Sequence, residues 1–150
     1  PADLNLIVQK TAKLIEAQHK DEPGRLVLQL EDDIPIISAD GEQIKQVILN
    51  LVLNGLEASK DRGRPVTLNT RHLPERGCVE LRVLDQGSGI PPDDLHQIFI
   101  PFFTTKQNGT GLGLAVTQRI ITNHGGTISA NSRVGEGTEF VIQLPLRPPD

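Results

Sequence analysis

"GEQIKQVILNLVLNGLEASK", residues 41–60, is the longest stretch of helical periodicity in the chain, and it carries two asparagines among its apolar residues. At about 100° per residue, Ile44, Val47, Ile48, Leu51 and Ala58 share one side, while Gln43, Asn50, Asn54 and Glu57 form an adjacent stripe about 60° wide. Leu49 and Leu53 lie elsewhere on the helix, which predicts cover on more than one side. Asn50 and Asn54 are four residues apart and project the same way. A half-buried amide without partners costs about 1–3 kcal/mol. The pair is therefore either satisfied by capping or inter-helix hydrogen bonds, or offers its oxygens to a hard cation such as Mg²⁺.

Upstream, Asp40 is a candidate cap for this helix. "RLVLQLEDD" (25–33) alternates Leu26, Leu28 and Leu30 at period two, and "PIISAD" (35–40) suggests a further short strand. "DLNLIVQKTAKLIEAQHK" (3–20) sets Leu4, Ile7, Thr11, Leu14 and Ile15 near one helical face behind an Asp3 cap, and "DEPG" stops it. Downstream, "PVTLNTRHL" and "CVELRVLD" joined by "PERG" predict an antiparallel hairpin. Residues 86–111 are rich in Gly, Pro, Asp and Thr, with one helical turn expected around Asp93 to Phe99, as in a lid or binding loop. "LGLAVTQRIITNHGG" reads as a helix ended by Gly125 and Gly126, and "TISANS" and "TEFVIQLPL" as strands around the turn "RVGEG".

The chain has 150 residues, 37% of them hydrophobic, enough for one domain with a sizeable core. A net charge of −4 argues against a general nucleic-acid binder. The single cysteine, Cys78, excludes an internal disulfide and reads as a small buried residue suited to a reducing compartment. No apolar run approaches the roughly 18 residues that span a bilayer. The absence of methionine, and so of an initiator, predicts a piece of a longer product.

Two loops could carry chemistry. Asp85 ends an apolar strand and opens "DQGSGI". A plain Asp-Gly turn explains it, and so does a carboxylate that accepts the amino hydrogens of adenine and repels the O6 of guanine, with Gly87 and Gly89 admitting a flat base. In "TTKQNGTGLGLAV" (104–116), Gly109, Gly111 and Gly113 leave backbone N–H groups clear at a helix start whose dipole favours phosphate. This loop follows a polar segment rather than a strand and lacks the Gly-Lys-Ser/Thr ending, which separates it from the dinucleotide and P-loop patterns.

"NLVLNGLEAS", "DQGSGI", "IFIPFFTTK", "GTGLGLAV" and "GEGTEF", in this order, resemble the successive boxes of the ATP-binding catalytic domain of sensor histidine kinases, within the gyrase, heat-shock ATPase, histidine kinase and mismatch-repair superfamily. The match runs from about Asp40 to Leu146. "PFFTTK" and "NGLEAS" resemble the nitrogen-regulation-like branch. The resemblance implies an α/β (α+β) two-layer sandwich of the Bergerat type, a mixed, largely antiparallel sheet covered on one face by about three helices. Residues 1–150 would be one ATP-binding catalytic domain from the C-terminal part of a longer kinase.

By the same resemblance, Asn54 would coordinate Mg²⁺ and Asn50 would support that polar face. Asp85 would bind the adenine amino group, Gly87 and Gly89 would shape the base pocket, and Thr138 would reach the same end. Gly109, Thr110, Gly111, Leu112 and Gly113 would line the phosphates of ATP, and Phe99, Phe102 and Phe103 would anchor the lid. Two positions depart from the family pattern. Glu57 stands where many relatives carry a basic residue, which leaves Lys106 as the candidate counter-charge or a merely solvated lysine. Gly55 replaces the usual alanine, a change that weakens a helix modestly.

The implied chemistry is transfer of the γ-phosphoryl group to a histidine. His19 lacks the acidic residue that follows the family's acceptor, and His72, His96 and His124 read as strand-end, surface-helix and helix-end residues. The acceptor is therefore expected on a separate dimerisation domain, with a response regulator downstream, no nucleic acid, no membrane contact by this domain, and a cytoplasmic location whether or not the full-length protein is anchored. An ATP hydrolase of the same superfamily is the alternative, but Asn50 stands where that class has its glutamate base. A nucleotide-sensing module without phosphotransfer is the third reading.

Overall fold

The computed structural model describes residues 1–19, 25–60, 63–101 and 113–146. Helix α1 (Leu4–Gln18) starts at Asp3, whose carboxylate accepts the Leu6 N–H. Strand β1 (Leu26–Leu30) leads to helix α2 (Gly41–Ala58), capped by Asp40 through the N–H groups of Glu42 and Gln43. Strand β2 (Val66–Leu73) runs parallel to β1, so α2 is the crossover between them. The expected hairpin then forms: β2 turns through Pro74–Arg76 and Gly77, at φ +61°, into antiparallel β3 (Cys78–Asp85). A short α3 (Pro92–Leu95), helix α4 (Gly113–Asn123) and strands β4 (Thr127–Arg133) and β5 (Gly137–Pro145) complete the described elements.

The sheet order is β1-β2-β3-β5-β4, parallel only at β1–β2. This is the mixed, largely antiparallel sheet the sequence implied. Helix α1 packs on β1, α2 on β2, β3 and β5, and α4 on β4. Strand β5 makes the two-sided logic plain, since Thr138, Phe140, Ile142 and Leu144 are buried while the residues between them are not. Phe140, Ile142 and Leu144 meet Ile44, Ile48 and Leu51 of α2 and Ile120 and Ile121 of α4 in one core.

Four local expectations need correction. The buried stripe of α1 is Leu4, Val8, Thr11, Ala12 and Ile15, while Leu14 is exposed, because the helix faces α2 and β1 at once and turns its Val8–Ala12 flank inward. Leu28 is exposed, since β1 is the edge strand and the core is met by Leu26 and Leu30. "PIISAD" adds no strand to the sheet; Ile37 instead exchanges hydrogen bonds with Ala2, at 2.7 and 2.9 Å. Leu49 packs on the core as expected for a second covered side, but Leu53 stays exposed among the described residues. Cys78 is buried, and burial pushes its thiol pKa up.

The opposite face of the sheet carries charge. Glu80, 2% exposed, accepts from Arg82 Nε at 2.6 Å, from Arg71 at 3.1 Å and from Gln143 at 3.0 Å, and Arg82 also reaches Glu139 at 3.1 Å. Burial pushes the Glu80 carboxyl up, but the hydrogen bonds from Arg82, Gln143 and Arg71 outweigh it and hold the pKa at about 2 instead of 4.5. A carboxylate depressed on folding stabilises fully above its unfolded pKa, and the contribution fades as pH falls from about 4.5 toward 2. With Arg71 half open to solvent, the expected loss is about 1–2 kcal/mol between pH 5 and pH 3. Guanidinium unfolding at the two pH values measures it, and Glu80→Gln should flatten that segment; an unchanged slope in the variant would rule out Glu80 as its source.

Candidate functional site

Asp85 sits at the last residue of β3, 8% exposed. Its Oδ1 accepts the N–H of Gly87 at 2.9 Å and of Thr138 at 3.3 Å, so the carboxylate is locked by its own turn and by the facing strand. In register, Asp85 pairs with Thr138 and Thr138 pairs with Ser132. Ser132 Oγ accepts the Ile90 N–H at 2.7 Å and lies 3.0 Å from the Gly137 carbonyl oxygen and 2.8 Å from Thr138 Oγ1. The "DQGSGI" loop is thereby fastened at both ends to the β4–β5 hairpin, with Gly135 N–H on the Ser88 carbonyl as a further tie.

The glycines of this loop have packing reasons of their own. A Cβ on Gly87 would overlap the Ala58 carbonyl at the end of α2. One on Gly89, at φ +79°, would overlap the Arg133 carbonyl. Both residues therefore bring backbone against backbone whether or not a flat ligand lies beside them.

Helix α2 approaches Asp85 from the core side. A Cβ at Gly55 would lie 3.3 Å from Asp85 Cβ and 3.1 Å from Val66 Cγ2, so Gly55 lets the helix sit close to the carboxylate. One turn earlier, Asn50 Oδ1 accepts from Gln46, while its Nδ2 donates to the Gly113 carbonyl and to Thr117 Oγ1, each at 3.2 Å. Asn50 thus makes the inter-helix bonds left open as one reading of the pair, and it holds the first turn of α4 against α2. Asn54 is half-buried on the same stripe and Glu57 is exposed.

Gly113 opens α4. Lys106, Gly109, Thr110, Gly111 and Leu112, with Phe102 and Phe103, lie outside the described residues. Phe99 stands edge-on to the buried Phe140, with ring centroids 6.3 Å apart, which anchors the near end of this segment in the core.

Two of the four histidines make structural contacts. His19 turns its ring back onto α1, Nδ1 to the Ile15 carbonyl at 2.9 Å. His124 bridges two helices: Nδ1 donates to the Ile120 carbonyl and Nε2 accepts the Asp40 N–H at the cap of α2. Sequence reasoning missed Gly55, Thr117, Ser132 and Gly137 as parts of this site. "GEGT" was a visible signal for Gly137, but nothing short of strand register could have aligned Ser132 with Thr138 and Asp85.

Residues 39–148 match the family of histidine kinase-, DNA gyrase B-, and HSP90-like ATPases. Among curated proteins, the chain is 38% identical over 144 residues to the sensor histidine kinase ZraS of Escherichia coli (strain K12), covering 96% of this chain and 30% of that protein. It is 38% identical over 141 residues to sporulation kinase E of Bacillus subtilis (strain 168), covering 94% and 19%. The chain therefore spans a third or less of these relatives. Among solved structures, the catalytic domain of histidine kinase ThkA in a nucleotide-free form superposes with a TM-score of 0.82 at 31% identity, covering 96% of this chain and 93% of that one. Full-length ShkA in complex with AMPPNP gives 0.85 at 26% identity, covering 99% and 31%.

Proposed function

The chain belongs to the histidine kinase-, DNA gyrase B- and HSP90-like ATPase family, and from that premise we propose that it is the ATP-binding catalytic unit of a sensor histidine kinase. It binds Mg-ATP and presents the γ-phosphoryl group to a histidine on a separate dimerisation domain, ahead of a response regulator. The observation that carries this reading is the convergence on α2: Gly55 lets the helix abut Asp85, while Asn50 holds the start of α4. Contacts of one helix with both Asp85 and the first turn of α4 support reading the former as the base end and the latter as the phosphate end.

The donor set fits the group. Asp85 and Thr138 would hold the adenine, Gly87 and Gly89 would shape its loop, and Gly109, Thr110, Gly111, Leu112, Gly113 and Lys106 would serve the phosphates. The Asn54 amide oxygen would ligate Mg²⁺, with water and phosphate oxygens completing the shell. Bound ATP supplies the transferable phosphoryl group, and these side chains contribute positioning and charge neutralisation. Hydrolysis is the weaker reading, because Asn50 cannot act as a general base and its amide is engaged with α4.

Supplying a dimerisation domain with its histidine, together with Mg-ATP, tests the proposal. Phosphohistidine on the added domain supports it, whereas brisk ADP release without phosphohistidine favours the hydrolase and binding with neither favours a sensor. Asn54→Ala is expected to remove about tenfold of ATP affinity measured with Mg²⁺ and to leave the Mg²⁺-free affinity unchanged. Equal affinities for the variant and the parent chain in both buffers would take the metal role away from Asn54.

A further inference from the structure

Asp85, Thr138 and Ser132 stand in one row across β3, β5 and β4, because the register pairs each with the next. The rows behind it are apolar: Val83, Phe140 and Ala130, then Leu81, Ile142 and Ile128. The polar row therefore closes the end of the sheet, and its hydroxyl protons can be assigned by counting donors and acceptors.

Ser132 Oγ has one proton and two lone pairs, and the Ile90 N–H at 2.7 Å occupies one pair. Its other neighbours are the Gly137 carbonyl oxygen at 3.0 Å, which can only accept, and Thr138 Oγ1 at 2.8 Å, which can do either. If Ser132 donated to Thr138, its remaining lone pair would face the Gly137 oxygen. If it donates to Gly137, Thr138 fills the second lone pair and all three contacts become hydrogen bonds. Only the second arrangement satisfies every group.

Thr138 then spends its proton on Ser132 and can only accept from a ligand. Asp85, a carboxylate, likewise only accepts. We infer that Ser132, without touching the nucleotide, is a specificity-determining positioning residue: by fixing the direction of the Thr138 hydroxyl it makes the base end a pair of acceptors, matched to the amino group of adenine and opposed to a C6 carbonyl. This rests on the reading of Asp85 and Thr138 as the adenine end. The same hydroxyl holds the Ile90 backbone, so one side chain links the loop position to the hydrogen-bond polarity of the pocket.

ATP and inosine triphosphate, each with Mg²⁺, provide the test, since the second replaces the C6 amino group by a carbonyl, with a proton moved onto N1, at nearly the same size. The parent chain should prefer ATP. In Ser132→Ala the Thr138 proton is released to donate, and the ATP-to-ITP preference should fall about fivefold. Ser132→Thr, which keeps the hydroxyl, should restore the parent ratio. An equal loss of both nucleotides in Ser132→Ala, or no change in either, overturns the assignment.

Should Ser132→Ala fail to fold for want of the Ile90 bond, Thr138→Val removes the acceptor without disturbing that bond. It should weaken ATP and spare ITP, and a proportional loss of the two would again overturn the assignment. Asp85→Asn separates the two levels. A ratio unchanged by Asp85→Asn, or a parent chain that does not discriminate, removes the adenine-end reading and this inference with it. A ratio that responds to Asp85→Asn but not to Ser132→Ala removes only the role of Ser132.

Discussion

Asp85→Asn is expected to weaken ATP binding about 100-fold, on the order of 2–3 kcal/mol, while leaving the fold intact. The substitution is isosteric, and an amide oxygen in place of Oδ1 can still accept the Gly87 and Thr138 N–H groups at 2.9 and 3.3 Å. What changes is the rest of the carboxylate: on the proposed reading, an oxygen that would accept from the adenine amino group becomes an NH₂ donor facing that donor. A charge-assisted acceptor is lost and a repulsion takes its place. Calorimetric titration of the parent chain and the variant reads the affinity, and thermal melts check that the melting temperature moves by no more than about 2 °C. Unchanged ATP affinity would remove Asp85 from the site, and a collapsed melting temperature would show that the turn needs the charge.

Gly137→Ala is expected to lose about 3–5 kcal/mol of stability and with it most ATP binding. Gly137 opens β5 at φ +133°, where a side chain is strained, and an added Cβ would overlap the Asp85 carbonyl oxygen. Strain contributes about 1–3 kcal/mol and the steric overlap a similar amount. The neighbouring contact cannot yield cheaply, because it is backbone of the strand end that carries the carboxylate. Asp85 must shift or β5 must start later, and either moves Thr138 out of register. Urea unfolding and ATP titration of the same variant measure both losses. Gly135→Ala is the control: it also has positive φ, +85°, but meets nothing within 4 Å, so it should cost less and spare binding. Equal effects at the two glycines would mean that backbone conformation, not the approach to Asp85, is what Gly137 provides.

Much of this was legible in the residues. The 3.6 period of α2, its Asp40 cap and the polar stripe of Asn50 and Asn54 are local properties, and the helix forms with Ile44, Val47, Ile48 and Leu51 buried as the spacing predicts. The hairpin followed from two apolar runs and "PERG", whose Gly77 adopts the left-handed conformation that the turn needs. The polar segments missed were those whose partners lie far along the chain. "PIISAD" has strand-like composition, but the group that satisfied Ile37 was Ala2. Leu14 and Leu28 are apolar at the right period and exposed, because their neighbours on α1 and the edge position of β1 decide burial.

Most of the elements, their order and the residue types available at the site can be read from the residues alone, because periodicity, caps and turn residues act within a few positions of themselves. What those residues meet depends on packing between distant parts of the chain. Asn50 Nδ2 finds its partners at Gly113 and Thr117, 63 and 67 positions away, and Thr138 donates its N–H to Asp85 across 53. Strand register aligned Ser132 with both. The apolar matching of whole strand faces in the core sets that register, so the polar row at the end of the sheet is a consequence of packing that no local pattern around Ser132 encodes.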